Sequence, residues 1–113
     1  MQAARVEDVE WYYTNATNTL TVFDVTGVMA ARGSSMRPGV WTGNTCFLRN
    51  FTGELGEGQM IVYADADADA TLIMHRVEAI YPGYVLARGD NNQEAERVLI
   101  SQVRDVVVGC LYS

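Results

Sequence analysis

The sequence predicts a mostly β domain. Short apolar segments rich in Val, Ile, Thr and aromatic residues alternate with turns that contain Gly, Pro or Asn, whereas helical periodicity is scarce. The chain has 113 residues, of which 49% are hydrophobic, and this is enough for one domain with a substantial core. We expect residues 20–113 to form that domain, preceded by an N-terminal extension over residues 1–19.

The elements are predicted in chain order. In the extension, Val6, Val9 and Tyr13 recur at helical spacing, which indicates a short helix. The Thr- and Val-rich segment 19–31 predicts one or two strands, divided near Gly27. Five further segments predict strands: 46–51, 59–64, 71–81, 84–89 and 104–112.

The connections follow from turn residues. Pro82-Gly83 predicts a tight turn that joins its two flanking strands into a hairpin. The Ala-Asp alternation over 64–70 predicts a solvated acidic loop. An EF-hand calcium loop beginning there would need Gly and Glu where Ala70 and Arg76 stand, so the sequence does not favour that alternative. The near-continuous apolar run in 104–112 indicates a closing strand that is buried on both faces.

Charge and cysteine content exclude several function classes. The net charge is −6, and the eight basic residues, all Arg, are scattered, which argues against nucleic-acid binding. Cys46 and Cys110 are expected to be buried thiols, although a single bridge between them stays open in an oxidising compartment. With one His and no cysteine pair at ligand spacing, we predict no metal site and no cofactor.

We expect a soluble chain. The longest apolar run, 106–112, is far shorter than the roughly 20 residues that a membrane-spanning helix needs. The N-terminal residues lack the apolar stretch behind basic residues that is typical of a signal peptide. The compartment is left open.

Three segments place reactive residues beside turn residues: Gly33-Ser34-Ser35-Met36-Arg37-Pro38, Ile73-Met74-His75-Arg76-Val77 and Gly89-Asp90-Asn91-Asn92. A serine hydroxyl needs a base to become a good nucleophile, and a neutral imidazole suits that task. A carboxylate commonly fixes which nitrogen of the imidazole faces the serine. Each segment taken alone is more often an ordinary turn or a packed histidine than part of a catalytic site.

Together and in this order, the segments resemble the motifs of type I signal peptidases. Residues 33–40 are similar to the nucleophile box Gly/Ser-x-Ser-Met-x-Pro, and residues 58–63 stand where the family has a Gly-Asp-x-Val-Val strand. His75-Arg76-Val77 resembles the base segment of the endoplasmic-reticulum and archaeal type, and residues 89–92 match the family's Gly-Asp-Asn-Asn box. The closing strand 106–109 is also similar. The resemblance spans residues 20–113 and implies a folded β-barrel or coiled sheet with little helix.

The resemblance implies a role for each matching residue. Ser35 would be the nucleophile, and its backbone N–H would donate to the oxyanion. His75 would be the general base, and Asp90 would orient the imidazole or brace the site, with Glu96 as the alternate acid. Met36 would line the substrate groove. Because the chain contains no lysine, the Ser-Lys mechanism of bacterial signal peptidases and of SOS-type repressors is excluded.

The sequence therefore predicts a soluble serine endopeptidase that cleaves extended peptides after small residues. Its expected partner is a peptide or protein substrate, with a further partner protein or an oligomer left open. Two departures from the family are Gln59, in place of an acidic residue, and the lack of a membrane anchor. The alternative is a non-catalytic structural or assembly component, for example of a virus particle, built on the same fold.

Overall fold

The computed structural model of the chain describes residues 4–6, 11–14, 19–22, 25–31, 33, 35–37, 40, 43–65 and 72–111. Within these ranges the chain is mostly β-strand and contains no α-helix. One single-turn 3₁₀ helix covers Ile100–Gln102. The mostly β class predicted from the sequence is confirmed.

The strands in the described ranges follow the predicted segments closely from residue 19 onward. They are β1 (Ala4–Val6), β2 (Trp11–Thr14), β3 (Thr19–Val22), β4 (Gly27–Ala30), β5 (Thr45–Asn50), β6 (Met60–Ala64), β7 (Leu72–Tyr81), β8 (Tyr84–Arg88), β9 (Glu96–Leu99) and β10 (Val103–Leu111).

Most of these strands form one antiparallel sheet. Its order is β4-β5-β10-β6-β7-β8-β9, and β1 also pairs with β10. The closing strand β10 is central, because it pairs with β5 along one edge and with β6 and then β1 along the other. β2 and β3 form a separate two-stranded hairpin.

Two elements differ from the sequence prediction. Where a short helix was expected in the extension, the structure has strands β1 and β2, and residues 7–10 lie outside the described ranges. The backbone of β1 pairs with β10 and that of β2 pairs with β3, and this pairing overrides the weak helical periodicity. The short strand β9 was not predicted, because its segment mixes polar and apolar residues without a strand pattern, and Val98 is its one buried residue.

The two faces of the sheet carry separate hydrophobic clusters. Cα partners on neighbouring antiparallel strands share a face, so Val62 and Met74 lie on one face while Ile61 and His75 lie on the other. The first cluster contains Ala31, Met36, Val40, Cys46, Leu48, Met60, Val62, Met74, Val107 and Cys110. The second contains Phe47, Ile61, Tyr63, Val77, Val85, Ala87, Val98, Val103, Val106 and Val108.

The centre of the sheet explains the apolar run of β10. Val106, Val107 and Val108 are all buried although they belong to different clusters, which confirms a strand covered on both faces. Cys46 and Cys110 are Cα partners on β5 and β10, and both are buried free thiols, as the composition predicted. No helix in the described part of the chain has the length and apolar character needed to cross a membrane.

Candidate active site

Ser35 lies in the turn that follows β4, and this turn is fastened to the loop after β8. The backbone N–H of Asn91 donates to the carbonyl oxygen of Ser35 at 2.7 Å. The backbone N–H of Asp90 approaches the sulfur of Met36 at 3.4 Å. Met36 is only 5% exposed and belongs to the first cluster, so one side of the turn is held by the core and the other by the loop.

Gly89 is required by this close approach. A Cβ atom at position 89 would lie 2.6 Å from the carbonyl oxygen of Ser35 and 2.9 Å from its Cβ, distances at which one of the two segments must move. The Gly-Asp-Asn-Asn segment is therefore more than an exposed turn. It forms the surface on which the Ser35 turn rests.

A largely apolar groove opens beside Ser35. Its volume is about 340 Å³, and it runs between the end of β4 and the beginning of β7. Within the described residues, β4 is the terminal strand of its sheet, and β7 pairs with β8 only from Arg76 onward. The groove is thus bordered by two strand edges and is lined by Met29, Ala30, Ala31, Gly33, Ser35, Met36, Val40, Leu72, Ile73 and Met74.

His75 lies on the other face of β7, where two polar side chains, those of Tyr63 and Glu96, contact it. Its Nδ1 atom lies 3.0 Å from the hydroxyl oxygen of Tyr63 and 4.0 Å from Oε1 of Glu96. The hydroxyl of Tyr63 donates to the same Oε1 atom. The His75 side chain is only 12% exposed. Burial lowers the pKa of His75, and the negative charges of Glu96 and Asp90 offset part of that decrease.

Ser35 lines the groove, whereas His75 is not among its lining residues and lies on the face of β7 opposite Met74. The β7 wall of the groove ends at Met74, the residue directly before His75. Among the described residues, no hydrogen bond joins Ser35 to His75, and the imidazole interacts with Tyr63 and Glu96 instead. Catalytic hydrogen bonds are often absent or long before substrate binds. Because successive side chains of a strand point to opposite faces, the Ser35 turn or β7 must also rearrange before the two side chains meet.

Asp90 interacts with Arg76 rather than with the imidazole. Its two carboxylate oxygens accept hydrogen bonds from Nε and Nη2 of Arg76, each at 2.9 Å, and Nη1 of Arg76 donates to the carbonyl oxygen of Gly58 at 2.7 Å. This arrangement ties the 89–92 loop to β7. Of the two acids considered from the sequence, Glu96 is the one whose carboxylate lies next to the imidazole.

Tyr63 is the site residue that the sequence did not single out. It follows a run of apolar residues in β6 and is 2% exposed, which is typical of a core aromatic residue. Its polar contacts come from strands that are distant in sequence, since β7 pairs with β6 and β9 is brought in across β8. The only local signal is that the hydroxyl of a buried tyrosine requires a partner.

No protein-family model, curated protein or solved structure matches this chain. The description of the site therefore depends on its own geometry.

Proposed function

We propose that the chain is a serine endopeptidase with a signal-peptidase-like coiled β-sheet, in which Ser35 is the nucleophile and His75 the general base. The observation that carries this proposal is the groove. It is bordered by two strand edges, has Ser35 in its lining, and ends on β7 at Met74, the residue that precedes the only histidine in the sequence.

An extended peptide suits this groove. Within the part of the chain that the structure describes, one edge of β4 and one edge of residues 72–75 in β7 have no strand partner. These edges offer backbone donors and acceptors to a peptide that lies between them as an added strand. Met29, Met36 and Met74 make the lining apolar, and their large side chains limit the room for those of a substrate. These features favour small apolar side chains beside the scissile bond.

The chemistry is acyl transfer. As Oγ of Ser35 attacks the carbonyl carbon of the substrate, Nε2 of His75 accepts the hydroxyl proton, and the backbone N–H of Ser35 donates to the oxyanion. The imidazolium then protonates the leaving amine as the C–N bond breaks and an ester to Ser35 remains. Water, deprotonated by the same imidazole, hydrolyses the ester. The proton transfer requires Nε2 and Oγ to come within hydrogen-bond distance when the peptide binds.

The two acids have different tasks in this scheme. Glu96 lies beside Nδ1 of His75 and stabilises the imidazolium that forms during the reaction. Asp90 acts through Arg76 and the backbone of its own loop to brace the turn that carries Ser35. Bracing is one of the two roles that the resemblance implied for Asp90.

A second candidate function is a non-catalytic assembly component built on the same fold. It is favoured by the missing hydrogen bond between Ser35 and His75 within the described residues. In that case the two strand edges would bind a segment of a partner protein without cleaving it.

Active-site labelling separates the two functions. The enzyme should react with a fluorophosphonate at Ser35, giving one adduct by intact-mass spectrometry, and should cleave members of a peptide library after small residues. Ser35→Ala should abolish both reactions, whereas Ser101→Ala, which changes an exposed serine in the 3₁₀ helix, should change neither. A folded protein with no adduct and no cleavage at any pH between about 6 and 9 would rule out the endopeptidase.

A further inference from the structure

Tyr63, His75 and Glu96 form a chain of polar contacts that joins β6, β7 and β9. The phenol oxygen lies between the other two groups. It is 3.0 Å from Nδ1 of His75 and is hydrogen-bonded to Oε1 of Glu96. Tyr63 is 2% exposed and is fixed by the second hydrophobic cluster, so its hydroxyl has a defined position.

The protons available to these three side chains determine which group donates and which accepts in each hydrogen bond. A phenol has one proton to donate, and a carboxylate can only accept, so the Tyr63 proton is directed to Glu96. Burial and the neighbouring Glu96 raise the pKa of Tyr63, so the phenol keeps its proton at neutral pH. The phenol oxygen is then free only to accept, and the group facing it is Nδ1 of His75. A neutral imidazole that donates from Nδ1 has its lone pair on Nε2.

We infer that Tyr63 is a positioning residue that holds neutral His75 as the Nδ1–H tautomer, with Nε2 left free to accept a proton. In terms of catalysis this inference rests on the proposed function, because Nε2 is the atom assigned there to deprotonate Ser35. Tyr63 also connects the carboxylate of Glu96 to the imidazole through hydrogen bonds, since Nδ1 and Oε1 are 4.0 Å apart and the phenol bridges them.

The charged groups around His75 are consistent with this role. Glu96 reaches the imidazole from β9, and Asp90 acts from the loop after β8 while it is paired with Arg76. On β6, Tyr63 itself is influenced by Glu96 and by Asp65. Glu96 and Asp90 are negative and favour a proton on the imidazole, and the carboxylate of Glu96 is the one located near Nδ1, on the side that faces Tyr63.

The tautomer can be measured directly, because the chain contains a single histidine. Two-bond ¹H–¹⁵N correlation spectra of ¹⁵N-labelled protein, recorded above the pKa of His75, distinguish a protonated Nδ1 from a protonated Nε2. We expect the wild-type protein to show the Nδ1–H form. Tyr63→Phe should shift the ¹⁵N signals toward the tautomer mixture of free imidazole, and Tyr81→Phe, at the exposed end of the hairpin, should leave them unchanged.

Activity gives the second readout. Tyr63→Phe should lower kcat/KM for the best peptide by about 10- to 100-fold, mainly through kcat, as is typical when the group that orients a histidine is removed. A wild-type spectrum of the Nε2–H form would overturn the inference without any variant, so poor folding of Tyr63→Phe does not prevent the test. An unchanged spectrum in folded Tyr63→Phe would also overturn it.

The outcomes for the two proposals are separable. Since the spectra do not require catalysis, an Nδ1–H signal in a protein that never labels at Ser35 would support the inference on Tyr63 and refute the endopeptidase. Labelling at Ser35 in a protein whose neutral His75 is the Nε2–H form would support the endopeptidase and refute the inference on Tyr63.

Discussion

Asp90 and Arg76 form a two-pronged ion pair, with both hydrogen bonds 2.9 Å long and both side chains about one quarter to one third exposed. A planar guanidinium matches a carboxylate in this way, whereas a lysine ammonium offers only a single point of contact. The pair connects β7, directly after His75, to the loop on which the Ser35 turn rests. It therefore stabilises the relative position of the two proposed catalytic residues.

Arg76→Lys should loosen this connection. We expect the free energy of unfolding to fall by about 1 kcal/mol at this partly exposed site, because a lysine ammonium cannot reproduce the two hydrogen bonds to Asp90 together with the one to the carbonyl oxygen of Gly58. Urea denaturation followed by fluorescence measures the change. Arg104→Lys, at an exposed position on β10, serves as the matched control and should have no measurable effect. Equal effects of the two substitutions would contradict a specific role for the ion pair.

Removing the charge of each candidate acid should change the pKa of His75 by a different amount. Glu96 is the nearer negative charge, so Glu96→Gln should lower the pKa of His75 further by removing an anion that stabilises the imidazolium. Asp90→Asn should lower that pKa less, because its carboxylate is paired with Arg76, and should instead reduce stability. NMR titration of the imidazole Cε1–H gives both values. A larger pKa change in Asp90→Asn would restore Asp90 as the acid that acts on the imidazole.

Protonation of His75 should also make stability depend on pH. Burial lowers its pKa in the folded protein below the ordinary value of about 6.5, so the unfolded chain binds the proton more readily. The resulting stabilisation is fully present above about pH 6.5 and is lost as the pH falls through the folded pKa. Between pH 7 and pH 5, the wild type should lose more unfolding free energy than His75→Gln. Parallel losses in the two proteins would show that His75 is not protected from protonation.

Gly89→Ala should disturb the Ser35 turn. The added methyl group would lie 2.6 Å from the Ser35 carbonyl oxygen and 2.8 Å from Nδ2 of Asn92, so the turn must move away from the loop. We expect a loss of about 1–3 kcal/mol in stability, as in other overpacked sites, together with slower fluorophosphonate labelling. Gly56→Ala is the matched control, because nothing lies within 4 Å of its Cβ. Labelling of Gly89→Ala at the wild-type rate would contradict the contact.

The sequence predicted those parts of the fold that are encoded in local patterns. Alternating or continuous apolar runs identified β5, β6, β7 and β10, and Pro82-Gly83 identified the β7–β8 hairpin. β1 was not predicted, because it is a strand only through its pairing with β10. Within the site, Ser35 and His75 were selected by motif, but the partners of the acids were not. Whether Asp90 contacts Arg76 or His75 depends on which face of β7 each side chain occupies, and that depends on register.

The paired cysteines give a final prediction. Cys46 and Cys110 face each other across β5 and β10 and are at most 1% exposed. The hydrogen bond between the thiols, together with burial, raises the pKa of Cys46. Since thiolates are the reactive species, neither thiol should react appreciably with Ellman's reagent in the folded protein at pH 8. In guanidinium chloride both should react at once, giving two equivalents per chain. Rapid reaction in the folded state would mean that β5 and β10 separate readily, and fewer than two equivalents after unfolding would indicate that a bridge had formed between the cysteines.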